Sequence, residues 1–312
     1  MPVKIVDCKE IDRATWLEYR RAGIGGSDAA VIVGLNPFRS LSELYADKMG
    51  LLPDKEDTEQ MRIGRDLEEY VARRFCEATG KKVRRNNWMW HKTGNPNLTA
   101  NVDREIVGEN AGLECKTTSA FSKSDFENGE IPLYYYCQCC HYMNVMGYDR
   151  MYLAVLVLGK AFYWFAIGRN DDEIKALEDA ENAFVQNHIL PQIPPEGDGS
   201  ESAERATSAI FGVKYTDEPI NLFPADDFVG EYLRLQAEIK TIEKQANKVK
   251  ESIQAFLGGA QAGKSDRYVV SWKETESTRV DTKALKDRFP QVYAAVAKTS
   301  TARRFTAKEI EK

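Results

Sequence analysis

Asp103, Glu114 and Lys116 are the residues whose types and spacing most directly suggest chemistry, in the segments Asn101-Val-Asp103 and Leu113-Glu114-Cys115-Lys116. Side chains alternate faces along a strand, so Glu114 and Lys116 point one way and Leu113 and Cys115 the other. If the run Leu98–Val107 pairs with Leu113–Thr117 through a Gly108-Glu109-Asn110 turn, Asp103 lies across from that pair. Two carboxylates and an ammonium then crowd one sheet face. Hard oxygen donors of this kind suit Mg²⁺, with Mn²⁺ as a substitute. A lysine beside the ion can orient a water and help deprotonate it, while the cation stabilises charge building on a scissile phosphate. Such triplets are common, and the same residues also describe an exposed hairpin with a surface salt bridge.

Three further segments bear on the choice. Arg21-Ala-Gly-Ile-Gly25-Gly26-Ser27-Asp28 is a glycine-rich turn entering the apolar helix Ala29–Val33. Ser27 or Asp28 is its expected N-cap, and backbone N–H groups there, with Arg21, form a cradle for an anion such as phosphate. Gly64-Arg-Asp-Leu-Glu68 places a carboxylate beside the apolar stripe of a helix. Gln138-Cys-Cys-His141-Tyr142 puts polar groups on a helix otherwise built for burial, where a glutamine must find partners.

The elements that must hold these residues can be traced from the pattern. Leu67, Val71, Phe75 and Ala78 form one helical stripe in Glu59–Thr79, and Gly80 stands where that helix stops. Tyr134–Gly147 is a second helix, with Tyr136, Cys140, Met143 and Gly147 on one face. Met151–Leu158 and Ala161–Ile167 are strands joined at Gly159-Lys160, expected as a type II′ hairpin. Asp171–Leu190 is a further helix. Helices flanking a central mixed sheet give an α/β or α+β core over residues 1–190. Residues 191–226, rich in proline, read as an acidic connector, although Ala206–Tyr215 can still dock on the core. Residues 227–312 read as a long amphipathic helix and a small basic α+β extension. Apolar residues from Phe228 to Phe256 recur at alternating spacings of three and four, which fits packing within the subunit or self-association. Strand Tyr268–Lys273, helix Thr282–Phe289 and a basic strand near Arg303–Thr306 complete the expected order.

Composition sets the outer bounds. With 312 residues and 43% hydrophobic content the chain is long enough for about two domains and can build a real core. No run is long enough for a membrane span, and residues 1–10 lack a signal-peptide core, so a cytoplasmic protein is expected. The six cysteines have no regular spacing, which fits a reducing compartment. Cys137, Cys139 and Cys140 diverge around one helix and read as small core residues, not cluster ligands. The net charge of −5 hides a gradient: 2 basic and 9 acidic residues over 191–231, then 12 basic and 7 acidic over 261–312. A polyanionic ligand is permitted by that distribution. Lys81-Lys82-Val-Arg84-Arg85 and Arg303-Arg304-Phe305 are basic runs that could meet a phosphate backbone.

Taken together and in order, the segments from Trp16 to Ile167 resemble the YqaJ-like viral recombinase family, relatives of phage lambda exonuclease in the PD-(D/E)xK nuclease superfamily. The marks are Arg21-Ala-Gly-Ile-Gly-Gly-Ser27-Asp28, Gly64-x-x-Leu-Glu68, Asp103, Glu114-Cys-Lys116, and Gln138-x-x-His-Tyr followed by Gly147-Tyr-Asp149. The resemblance implies a restriction-endonuclease-like core. It makes Asp103 and Glu114 the metal-ligating pair, the Cys115 carbonyl a third ligand, Glu68 the helix carboxylate completing the site, and Lys116 the catalytic lysine. Arg21 and Ser27 would grip a DNA 5′-phosphate, Gln138 would border the site, and His141 would pack beside it or touch DNA. One departure stands out: Val102 occupies the position where the superfamily name expects proline. The implied activity is a Mg²⁺-dependent exonuclease that degrades one strand of linear duplex DNA from the 5′ end. The 3′ overhang would pass to a single-strand annealing protein (RecT-like or Beta-like). A ring-like homo-oligomer, encoded by a phage or prophage and working in the bacterial cytoplasm, is also implied. An endonuclease and a non-hydrolysing DNA-end scaffold on the same fold are the alternatives.

Overall fold

The computed structural model describes residues 1–54, 57–212, 218–299 and 304–310, and the chain divides into two units, Met1–Tyr215 and Thr216–Lys312. The first begins with β1 (Val3–Asp7), α1 (Arg13–Ala22), α2 (Gly26–Ile32), α3 (Leu41–Lys48) and α4 (Glu59–Thr79). Then come β2 (Val83–Arg85), β3 (Trp88–Lys92), β4 (Asn95–Ala100), β5 (Arg104–Ile106) and β6 (Ala111–Thr118). A 3₁₀ stretch (Ala120–Gly129) leads to α5 (Leu133–Met146), β7 (Arg150–Val157), β8 (Ala161–Gly168), α6 (Asp171–Phe184) and α7 (Glu201–Phe211).

Local chemistry places the helix that faces the main sheet. The Thr58 hydroxyl accepts the Met61 N–H (3.2 Å) to start α4, and Gly80, at φ 70°, closes it with its N–H on the Cys76 carbonyl. The main sheet runs β2-β5-β6-β7-β8. Only β6 and β7 are parallel, joined through the 3₁₀ stretch and α5, as a parallel pair requires a long crossover. Val71, Ala72 and Phe75 of α4 pack on Leu113, Tyr152 and Ala154 on one face of this sheet, while α5 packs on Leu153 and Val155 on the other. This is the expected mixed α/β core. Among the described residues no helix is long and apolar enough to cross a membrane.

Four expectations are corrected. Leu98–Val107 is not one strand: β4 belongs to a separate three-stranded sheet, β1-β3-β4, and β5 to the main sheet. Asp103 sits where the chain passes from one sheet to the other. The β7–β8 loop has three residues, not two; Lys160 N–H bonds to Val157 C=O (3.0 Å) and Gly159, at φ 69°, is the third residue of that turn. The core does not stop near residue 190. α7 docks on α3, with Ala203 and Ala206 buried and the Ser202 hydroxyl donating to Glu43 Oε2 at 2.6 Å. Of the expected docking segment Ala206–Tyr215, positions 213–215 lie outside the described residues.

The second unit holds α8 (Asp226–Leu257), the hairpin β9 (Ala262–Lys264) and β10 (Val269–Ser271), α9 (Thr282–Arg288) and α10 (Pro290–Val296). The partner strand β9 and helix α10 go beyond the sequence reading. Residues 304–306 form no strand, which is the fourth correction, and Arg303 lies outside the described residues. Among the described residues of this unit none is buried.

Candidate active site

Glu114 and Lys116 leave β6 on the α5 side, opposite Leu113 and Cys115, as the strand alternation requires. Glu114 is 4% exposed, and its Oε1 accepts from Gln138 Nε2 (2.7 Å) and pairs with Lys116 Nζ (2.6 Å). Gln138 Nε2 also donates to the Tyr142 hydroxyl (3.0 Å), one turn along α5. Asp103 joins from the sheet-to-sheet crossing: its Oδ2 accepts the Cys115 N–H at 2.8 Å. The N–H and C=O of one strand residue point to the same edge, so the Cys115 carbonyl also faces Asp103, beyond the last β5–β6 pair, Arg104–Leu113. The three expected residues are therefore brought together, with Gln138 bordering them.

Crowding shapes the electrostatics. Burial, then the Glu114 and Glu68 carboxylates, push Asp103 well above the ordinary carboxylate range, which Lys116 and the Cys115 N–H only partly offset. Burial works against the Lys116 ammonium, yet Glu114 and Asp103 outweigh it and hold the proton more tightly than usual. Glu114 Oε2 is buried without a hydrogen-bond partner. A buried carboxylate oxygen with no donor is costly, and a hard divalent cation supplies what that oxygen lacks. The donors present fit Mg²⁺ or Mn²⁺ on this ground.

Glu68 does not complete a ready-made set: among the described residues no three His, Cys, Asp or Glu side chains gather as metal ligands. Its Oε1 is taken by Arg104 (2.6 Å) and Arg85 (3.2 Å). Arg104 is 2% exposed and also donates to Glu69 (3.0 Å) and to the Asp103 carbonyl (2.8 Å), tying α4 to the carboxylate crossing. The sequence reading missed this arginine. A charged residue directly after Asp103 at the start of a buried strand was the available signal.

The anion cradle also needs correction. Arg20, not Arg21, donates to the Ser27 hydroxyl (2.8 Å) and lies over the Trp16 ring at 4.7 Å. Arg21 turns to Asp54 and Asp47. The N-cap of α2 is Gly25. Asp28 lies inside the helix and returns its Oδ2 to the Gly25 N–H (3.0 Å) and to Lys48 Nζ (2.6 Å). Burial would raise Asp28, but Lys48, Arg20 and Arg39 hold it down at about 2. These groups line a pocket of about 760 Å³ with Arg13, Trp16 and Arg65. It shares Cys8 and Trp16 with a groove of about 300 Å³ lined by Asp103, Glu68, Arg85 and Lys9. His141 plays no part in either. It is 0% exposed, with Nδ1 on Glu181 (2.7 Å) and Nε2 on the Thr99 carbonyl (2.8 Å), so it presents no atom to a ligand.

The fold and site define a mixed α/β protein whose sheet carries a carboxylate pair and a lysine next to a cationic pocket. A family model, the YqaJ-like viral recombinase domain, matches residues 15–149, the stretch that contains Arg20, Ser27, Glu68, Asp103, Glu114, Lys116 and Gln138. The YqaJ protein of Bacillus subtilis (strain 168) is 39% identical over 305 residues, covering 96% of each chain. The chain belongs to the YqaJ-like viral recombinase family. Among solved structures it is similar to the alkaline exonuclease LHK-Exo of Laribacter hongkongensis (17% identity, 56% of this chain and 91% of that chain, TM-score 0.48). It is also similar to a phage related exonuclease of Haemophilus somnus 129PT (14% identity, 55% and 96%, TM-score 0.42).

Proposed function

We infer that this chain is a divalent-cation-dependent DNA exonuclease that digests one strand of linear duplex from the 5′ end, leaving a 3′ strand for an annealing protein. The observation that carries the reading is the buried Glu114 carboxylate, one oxygen unpartnered, facing Asp103 and Lys116 beside a cationic pocket. Asp103, Glu114 and the Cys115 carbonyl would hold Mg²⁺, which supplies Lewis-acid stabilisation of charge on the scissile phosphate.

The chain's own groups do the rest. Lys116 keeps its proton, and its N–H bonds not used by Glu114 can hold the attacking water against a phosphate oxygen. Gln138 fixes the Glu114 carboxylate from α5. Arg20, steadied on Trp16, and Ser27 can grip a terminal 5′-phosphate, which sets the phosphodiester presented to the carboxylates. The Asp28–Lys48 pair buried beneath holds α2 to α3 behind that grip. The family's description as a viral recombinase accords with a product used for strand annealing.

A strand-labelled linear duplex in Mg²⁺ tests this. Loss of label from the 5′ end, a surviving 3′ strand, and no reaction in chelator are expected. Equal cutting of covalently closed circles would turn the reading to an endonuclease, and no Mg²⁺-dependent hydrolysis would remove it.

A further inference from the structure

The ladder between β2 and β5 places Arg85 directly opposite Arg104. Like charges opposite one another across a ladder are destabilising, so the pairing calls for an explanation. A single carboxylate oxygen, Glu68 Oε1, bonds to both guanidiniums. The two arginines then diverge. Arg104 is buried and spends its donors on Glu68, Glu69 and the Asp103 carbonyl. The Arg85 side chain is 54% exposed, and its one hydrogen bond among the described residues is the longer one to Glu68, at 3.2 Å. A guanidinium has five N–H donors, so most of those on Arg85 stay available. They line the same groove as Asp103 and Glu68, across from the Arg20 pocket that joins this groove at Cys8 and Trp16.

Resting on the nuclease reading above, we propose that Arg85 is a phosphate-binding residue for the cleaved strand, holding a backbone phosphate on the 3′ side of the scissile bond. Asp103 and Glu68 share their groove with Arg85, and that groove adjoins the pocket of Arg20. A strand whose 5′-phosphate sits at Arg20 and whose next phosphodiester meets Asp103 enters the groove that Arg85 lines. Gripped at both ends, it cannot slip relative to the carboxylates. Arg suits this task because its planar fork takes two phosphate oxygens together.

The test uses the full chain in Ca²⁺ and 5′-phosphorylated duplexes carrying one methylphosphonate at successive positions 3′ of the terminal phosphodiester. Wild type is expected to lose roughly tenfold in affinity at one or two adjacent positions. Arg85→Ala should already lack that affinity and be blind to neutralisation there alone. The slope of log K against log salt should fall by about 0.9. If Arg85→Ala merely released Glu68, binding would weaken equally at every position and keep its full sensitivity to the methylphosphonate. That outcome, or wild-type affinity in the variant, overturns the proposal. Mg²⁺-dependent digestion by wild type is scored in parallel. Phosphate reading by Arg85 without digestion would sink the nuclease reading and the scissile-bond register with it, leaving Arg85 a DNA-backbone contact only. No binding to DNA at all would remove both.

Discussion

At the residue scale Glu114 and Lys116 were legible because strand alternation is rigid: once Leu113 and Cys115 face α4, the other two must face α5, whereas Asp103 joins them from the crossing between the two sheets. Adjacent helix residues carry no such guarantee. Arg20 and Arg21 lie about 100° apart around α1, and only the position of α2 decides which one reaches Ser27. The structure therefore predicts that Arg20→Ala lowers digestion of 5′-phosphorylated ends roughly tenfold more than 5′-hydroxyl ends, whereas Arg21→Ala leaves that ratio unchanged. A steady-state comparison of the two ends settles it, and the reverse pattern would return the anchor to Arg21. Asp103→Ala and Lys116→Ala should each cut turnover roughly 10²-fold or more while the folded circular-dichroism signal persists. Full activity in either would remove the chemistry. Asp28 gives a pH prediction. Held at about 2 by Lys48, Arg20 and Arg39, it contributes stability that is fully present above its unfolded value near 3.9 and is lost as pH falls through about 2. Asp28→Asn should lose on the order of 2 kcal/mol at pH 7 in urea unfolding, and its deficit should shrink on acidification. A deficit constant down to pH 2 would show that the charge is not what matters.

Among elements, the sequence shows α4, α5 and α8 almost to the residue, because caps and helical stripes are local signals. Thr58, Gly80 and Gly147 stand at the α4 and α5 ends, with both glycines at positive φ. The division of Leu98–Val107 between two sheets was not legible, since both halves alternate like strand and only tertiary pairing separates them. His141 shows the same limit. It is set apart from Gln138 by about 60° around α5, enough to turn one toward Glu114 and the other toward Glu181. The close contact of α2 with α5 yields a prediction of its own. A Cβ on Gly26 would stand 2.7 Å from the Tyr142 ring and 3.0 Å from the Gln138 side chain. Gly26→Ala must separate the helices, at a cost of about 1–3 kcal/mol, and shift Gln138 off Glu114. A lower urea midpoint together with slower digestion is expected. Wild-type values for both would mean that the helices yield freely there.

The whole molecule divides its labour unevenly. Every buried apolar side chain among the described residues, from Ile24 to Ala206, belongs to Met1–Tyr215, as do all the residues assigned to the site. The second unit, Thr216–Lys312, is rich in helix yet buries none of its described residues. Its heptad-spaced side chains, Phe228, Leu235, Ile242 and Val249 among them, remain exposed. A unit without a buried core gains little from the hydrophobic term that stabilises domains. The sequence reading placed the core boundary near residue 190 because proline-rich composition marks a linker. It allows docking from Ala206 onward, but does not show that Ser202 and Ala203 bring the start of α7 back onto α3 as well. Two truncations separate these views. A chain ending at Tyr215 should keep a cooperative heat transition close to that of the full chain, and should still digest linear duplex in Mg²⁺. A chain ending at Leu190 loses α7, uncovers the polar groups of Ser40 and Glu43 that Ser202 satisfies, and should melt several degrees lower, since about 1–3 kcal/mol is lost for such groups. If the chain ending at Tyr215 were the unstable one and the chain ending at Leu190 matched the full chain, the core would end where the prolines begin and α7 would belong with the second unit.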